Sequence, residues 1–199
     1  LPISLNSKLF KKIIVVTNDK KQIKKKYPKH VLIIKGGRER FDSSLIALEY
    51  IKKFKPSNVL IHDAARPNFT IKLLNNLINS LKKNRASVPV IFLKDSIKYK
   101  VKNQFFNLNR KNAYLTQTPQ AFRFKDIYDL STKQNNKVQD EATLFIENDL
   151  KIKFINGETL NNKITFKEDI NNTRTYFGIG FDIHKLIKNK KLYLGGIKI

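Results

Sequence analysis

The amino-acid sequence predicts an α/β fold on a mostly parallel sheet, from three observations. Short β-branched runs recur between longer amphipathic stretches, as in repeated βαβ units. Several runs are apolar throughout rather than at alternate positions, the mark of strands covered on both faces. Polar or glycine-containing turns follow them at their C-terminal ends. With 199 residues, 41% of them apolar, the chain has material for one packed domain of ordinary size.

The elements follow in order. Residues 12–18 (KIIVVTN) and 31–35 (VLIIK) read as strands, the second closed by Gly36-Gly37. Leu45, Leu48, Ile51 and Phe54 recur at helical spacing, with Asp42 or Ser43 placed to cap the helix. Residues 58–61 form the next strand, and residues 71–81 a helix with its stripe at Leu74, Leu77, Ile78 and Leu81. After a strand at 87–93 the rhythm breaks. Ile97, Tyr99 and Val101 alternate with lysines, and Phe105, Phe106 and Leu108 follow Asn103-Gln104, so residues 96–110 read as a projecting β-hairpin arm. Helices over 125–132 and 140–148 and a strand at 151–155 complete a Rossmann-like domain, assigned to residues 1–172. Polar residues at 171–173 mark the boundary. Residues 173–199 are assigned to the beginning of a second, truncated domain, opening on a glycine-rich strand at 176–184.

Composition excludes several classes. Without cysteine there is no disulfide scaffold, thiolate metal site or cysteine nucleophile. No apolar run approaches the ~18 residues of a membrane-spanning helix, and residues 1–12 lack the apolar stretch of a signal peptide. The expectation is a cytoplasmic protein with no membrane partner. The net charge of 40 − 16 = +24 raises nucleic-acid binding as an alternative. Against it, only seven of the 40 basic residues are arginine, the lysines are dispersed, and most aromatics occupy apolar periodic positions. No nucleic-acid partner is expected. A chain that starts Leu-Pro-Ile and contains no methionine is expected to be a fragment.

In doubly wound sheets, ligands bind beyond the carboxyl ends of strands. Gly36-Gly37-Arg38-Glu39-Arg40-Phe41-Asp42-Ser43 leads from a strand into a helix, where glycines permit close approach and free N–H groups suit an acceptor-rich ligand. His62-Asp63-Ala64-Ala65-Arg66-Pro67 places a carboxylate suited to Mg²⁺ and a guanidinium suited to phosphate beside two small residues. His62 reads as structural rather than as a base. Thr116-Gln117-Thr118-Pro119-Gln120 is a polar run with hydroxyls suited to phosphate or sugar. Each segment alone is compatible with an ordinary loop.

Together with Asn162-Lys163-Ile164-Thr165 and Glu168-Asp169, in this order and spacing, they closely resemble methylerythritol phosphate cytidylyltransferase over roughly residues 8–170. That family transfers a cytidylyl group from CTP to methylerythritol phosphate and releases pyrophosphate, in isoprenoid precursor synthesis. The resemblance implies nucleotide- and substrate-binding roles for Gly36, Gly37, Ser43, Ala64, Ser96 and Thr118, with Ser96 standing where the family usually has threonine. It implies that Asp63 associates with Mg²⁺, and that Arg66 and Lys163 act in the substrate loop and on the substrate side. Arg110 matches an arginine on the arm that reaches the substrate phosphate of a partner subunit, so a homodimer through residues 96–110 is implied. There are departures. Nothing before Leu9 matches the family's Gly-rich triphosphate loop, so efficient turnover of CTP by this chain alone is not expected. Arg38 replaces an often acidic residue, and Gln139 replaces a threonine before Asp140-Glu141-Ala142.

In the tail, Asp182 and His184 stand two residues apart, on one face of a strand, and both are suitable ligands for a divalent cation. Followed by Leu194-Gly195-Gly196, they resemble the start of methylerythritol cyclodiphosphate synthase, which implies Zn²⁺ or Mn²⁺ at a site whose further histidine lies beyond this sequence. The whole resembles a bifunctional fusion of the two enzymes, cut at both ends. A nucleotidyltransferase for another sugar or alditol phosphate is the alternative within the same chemistry.

Overall fold

The structure is a computed structural model that describes residues 2–19, 27–134, 138–171, 193–194 and 197–198. It divides into two compact units, Leu1–Lys163 and Ile164–Ile199. In the first, a short helix α1 (Pro2–Asn6) precedes β1 (Ile13–Thr17) and β2 (Val31–Lys35), which pair in parallel with Ile13 opposite Val31. After β2 come α2 (Arg40–Lys52), β3 (Asn58–Ile61), α3 (Ile71–Ser80) and β4 (Ala86–Phe92). The arm is an antiparallel hairpin of β5 (Ile97–Val101) and β6 (Gln104–Leu108). Beyond it lie β7 (Tyr114–Thr116), β8 (Gln120–Arg123), α4 (Phe124–Lys133), α5 (Glu141–Glu147) and β9 (Lys153–Asn156).

The α/β expectation holds, and the pairing directions refine it, because the larger sheet is mixed. β8 runs antiparallel to both β3 and β4, and β7 antiparallel to β4, while β9 is parallel to β4. Thus β3, β4 and β9 share one direction, with the β7–β8 segment reversed between β3 and β4. Its polar composition and its short halves hid this strand among loop residues. It is also kinked: Val90 faces Thr116 and Ser87 faces Ala121, so three steps along β4 span five along its partner. The two surplus residues fall between Gln117, whose N–H still donates to the Pro89 carbonyl, and Ala121, where the Thr118–Pro119 bond is cis.

Alternation along these strands produces three layers. Val59, Ile61 and Phe122 pack with Phe41 and Leu48 of α2, Ile127 of α4, and Leu144 and Phe145 of α5. Leu60 and Ala121 point the other way, onto Phe69 and Leu73, Leu74 and Leu77 of α3. The start of α2 differs from expectation. Its N-cap is Glu39, and Asp42 acts from inside the helix by accepting the Glu39 backbone N–H at 3.1 Å. The helix therefore opens with Arg40 in its first turn.

In the second unit, α6 (Lys167–Asn171) carries Asp169 in its first turn, whose Oδ2 accepts the backbone N–H of Thr165 at 2.8 Å and of Phe166 at 2.9 Å. These bonds, that of Phe166 first, hold its carboxyl below the usual range. β10 (Tyr193–Leu194) and β11 (Ile197–Lys198) pair antiparallel. The strand expected at 176–184, with Asp182 and His184, lies outside the described residues. Among the described residues no helix is long and apolar enough to cross a membrane.

Candidate active site

The loops that follow β3 and β9 and the residues that lead into β8 lie at one end of the sheet, where strand direction brings them together. There a cavity of about 380 Å³ is lined by Arg40, Asp63, Arg66, Thr118 and Lys163, with Gln139 and Asp140 also in its wall. Asp63 is its electrostatic centre. Oδ1 accepts from Arg40 Nε at 2.8 Å, while Oδ2 lies 3.9 Å from Lys163 Nζ and 4.0 Å from Arg66 Nε. Burial by itself would raise the Asp63 pKa. The Arg40 hydrogen bond and charge, then Lys163 and Arg66, outweigh it and hold the carboxyl below its usual range.

Arg40 is itself clamped. Its two terminal nitrogens donate to the two oxygens of Glu141 at 2.9 and 2.7 Å, a bidentate pair, and Glu141 is completely buried. Burial alone would depress the guanidinium, but the Glu141 bonds and charge, followed by those of Asp63, raise its hold on its proton. The nearby Asp140 is committed elsewhere. Its Oδ2 accepts from Thr116 and Gln120, and its Oδ1 from the backbone and hydroxyl of Thr143.

A directed chain of hydrogen bonds fixes the Asp63 loop. The Asp63 backbone N–H donates to Thr118 Oγ1 at 3.0 Å, and the Thr118 hydroxyl lies 3.1 Å from His62 Nδ1. His62 Nε2 lies 3.0 Å from the Arg66 carbonyl, which can only accept, so Nε2 carries the proton and Nδ1 accepts from Thr118. The ring also meets Phe69 edge-on at 4.4 Å. Desolvation is the main cause that lowers the His62 pKa to about 4, with the Arg66 charge adding; the Arg66 carbonyl and Asp63 oppose it. His62 is thus a neutral structural bridge, as its place at the strand end suggested.

The sign of its pH effect follows. Between pH 6.5 and 4 the unfolded chain holds a proton on His62 that the folded chain lacks, so acid favours unfolding. The stabilisation is complete above pH 6.5 and fades as pH falls towards 4. A pKa gap of 6.5 − 4 = 2.5 corresponds to roughly 3 kcal/mol. Urea unfolding between pH 7 and 4.5 should show this slope, and His62→Gln should flatten it.

Lys163 reaches the cavity on a loop that Gln117 staples. The buried Gln117 amide donates to the carbonyls of Glu158 (2.8 Å) and Asn161 (3.2 Å) and accepts from the Glu158 N–H (2.9 Å). Arg66 adds a bond to the Asn161 carbonyl at 2.9 Å, and Asn161 Nδ2 donates to the Thr118 carbonyl.

Of the residues singled out by sequence, the structure gathers Asp63, Arg66, Thr118 and Lys163 around this cavity. Ala64 sits in the same loop, exposed, inside the turn closed by the Arg66 N–H to Asp63 carbonyl bond. Gly36, Gly37 and Ser43 cluster at the head of α2, where the Gly37 N–H donates to Ser43 Oγ at 3.1 Å. A Cβ on Gly37 would lie 2.2 Å from Asp42 Cβ, so Gly37→Ala must push the turn off the helix. The expected cost is roughly 1–3 kcal/mol, measurable by urea denaturation. Ser96 and Arg110 stand at the root of the arm, where Arg110 donates to the Lys94 carbonyl at 2.7 Å and Lys98 to Ser96 at 3.3 Å. Neither lines the cavity.

Sequence reasoning placed Arg40 and Glu141 within quoted segments but gave neither a role. Both carried a signal. A cation in the first turn of a helix opposes the helix dipole, and Glu141 falls three and four residues before Leu144 and Phe145, on the buried face of α5.

A family model described as IspD, 2-C-methyl-D-erythritol 4-phosphate cytidylyltransferase, matches residues 2–178. The bifunctional enzyme IspD/IspF of Pelagibacter ubique is 51% identical over 193 residues, covering 96% of this chain and 52% of that protein. The crystal structure of 4-diphosphocytidyl-2C-methyl-D-erythritol synthase from Anaerococcus prevotii superposes with a TM-score of 0.78 at 32% identity, covering 86% of this chain and 81% of its own. The bifunctional IspDF of Campylobacter jejuni gives a TM-score of 0.75 at 31% identity, over 100% of this chain and 53% of its own. The chain spans about half the length of the curated relatives that it matches. With the fold, the motifs and the family model in agreement, this chain belongs to the 2-C-methyl-D-erythritol 4-phosphate cytidylyltransferase family.

Proposed function

We propose that this chain is the nucleotidyltransferase portion of an enzyme that moves a cytidylyl group from CTP to methylerythritol 4-phosphate. The single observation that carries the reading is the surround of Asp63, one carboxylate among Arg40, Arg66 and Lys163 in a cavity at the sheet's carboxyl end. The substrate phosphate attacks the α-phosphorus of CTP in line, and pyrophosphate leaves. Such a reaction needs fixed positive charge around developing anions more than it needs a protein nucleophile. Arg66 and Lys163 supply that charge in this cavity, and the buried Arg66 Nε makes no hydrogen bond. Cytoplasmic CTP is the assumed source of the nucleotide.

The donor set fits Mg²⁺ held chiefly by substrate oxygens. Asp63 Oδ2 has its cations beyond hydrogen-bonding distance, and Asp140 is fully engaged. Asp63 would hold the ion, which when bound neutralises phosphate charge. Among the described residues no cluster of three His, Cys, Asp or Glu forms an all-protein metal site. Asp182 and His184 are assigned, on the resemblance of the tail, to a cyclase domain taking Zn²⁺ or Mn²⁺.

We assign Ser96 and Arg110 to a homodimer built on the arm. Every residue of β6 is exposed, Phe105 at 70%, and Tyr99 stacks on Phe106 at 5.4 Å. Such an apolar surface suits a second copy. Light scattering should give a dimer that Phe105→Asp dissociates; a monomeric parent protein at micromolar concentration contradicts the assignment.

Substrate identity is tested by pyrophosphate release from CTP and Mg²⁺ with methylerythritol 4-phosphate set against erythritol 4-phosphate and ribitol 5-phosphate. The reading expects kcat/KM about 10–200-fold higher than for erythritol 4-phosphate, which lacks only the methyl group, and a larger margin over ribitol 5-phosphate, whose hydroxyls are placed differently. Preference for another polyol phosphate would move the assignment to a related nucleotidyltransferase, with Gln139 in the cavity wall as the residue responsible.

A further inference from the structure

We propose that Arg40 is a positioning residue of the transfer reaction, acting through Asp63 and itself set by Glu141; the inference rests on the reading of this site as a cytidylyltransferase centre. Three observations point to it. Glu141 is completely buried, and both its oxygens accept from Arg40, the one charged partner they meet among the described residues. With each terminal nitrogen donating to Glu141, the Nε–H of Arg40 is turned to Asp63 and meets its Oδ1 at 2.8 Å. With Oδ1 held, Oδ2 is the oxygen left on the side of Lys163 and Arg66.

The geometry is that of a fixed strut. A bidentate guanidinium–carboxylate pair allows little rotation, so the plane of Arg40 is set by α5 and the Asp63 carboxylate is set by Arg40. The two anchors come from elements far apart in sequence, the head of α2 and the head of α5, and they converge on the loop after β3. A lysine at position 40 would keep the charge and lose the fork. Because Arg40 touches Asp63 through one hydrogen bond, its role is orientation rather than contact with the reacting atoms.

The test is a double-mutant cycle on the protein expressed from its complete reading frame, read as pyrophosphate release from CTP, Mg²⁺ and methylerythritol 4-phosphate. Arg40→Gln should lower kcat about 100-fold, the scale of a displaced active-site group, with both KM values within about threefold of the parent. In an Asp63→Asn background the same change should cost less than about threefold more, because the group it positions is already gone. Arg40→Lys should recover only part of the rate. If Arg40→Gln does not fold, Glu141→Gln takes its place in the cycle with the same non-additive outcome expected. Multiplying effects, or a loss confined to melting temperature with kcat intact, would overturn the proposal alone. Absence of release by the parent protein would overturn the underlying reading, and this proposal with it.

Discussion

Replacement of Arg40 by methionine is expected to lower the unfolding free energy by roughly 3–5 kcal/mol, the cost of leaving one member of a buried ion pair without its partner. The stranded group is Glu141, whose side chain is 0% exposed, whereas that of Arg40 is 30% exposed. That difference predicts an asymmetry. Glu141→Leu alone costs less, because the freed guanidinium can turn towards water and keeps Asp63. The double variant Arg40→Met/Glu141→Leu should recover about 2 kcal/mol relative to Arg40→Met, since two apolar side chains replace a buried pair beside Leu144 and Phe145. Thermal melting reads this directly. A drop on the order of 10 °C is expected for Arg40→Met, and a drop no larger than that of Glu141→Leu would show that Glu141 is not held as described.

Asp63→Asn is expected to lower kcat by about 10²–10³-fold while leaving the fold intact. The variant keeps the side chain's shape and its place as acceptor for Arg40 Nε, so the loop can stay where Thr118 and His62 hold it. What changes is charge. The variant loses the carboxylate that would hold Mg²⁺, while Lys163 and Arg66, no longer facing an anion, keep their attraction for a triphosphate. KM for CTP should therefore stay level or fall while kcat collapses, the pattern of an interaction that matters in the transition state. A rise in KM with kcat preserved would make Asp63 a simple substrate-binding group.

Much of this was legible in the sequence where one physical signal dominated. β1, β2, β3 and β4 are continuous apolar runs, and α3 carries a clean stripe, so each appears within a residue or two of its expected place. The arm was readable from alternation, Ile97, Tyr99 and Val101 against lysines. What escaped was the β7–β8 segment. It has only three and four residues in its halves, its kink holds Thr118-Pro119, and its polar side chains are buried by partners remote in sequence: Gln117 by Glu158 and Asn161, Gln120 by Asp140 and Ala142. Periodicity carries no trace of such pairings. The site divided likewise. Asp63, Arg66, Thr118 and Lys163 fall within motifs, whereas the clamp on Arg40 depends on a partner 101 residues away.

The central claim, cytidylyl transfer at the Asp63 cavity, is tested most directly by ³¹P NMR of CTP, Mg²⁺ and methylerythritol 4-phosphate incubated with the protein expressed from its complete reading frame. The account predicts loss of the phosphomonoester signal, with equal growth of pyrophosphate and of a new diphosphate diester joining cytidine to methylerythritol. It predicts neither in the Asp63→Asn variant over the same interval. A folded parent protein that leaves the phosphomonoester untouched, or that releases pyrophosphate without forming the diester, would contradict it.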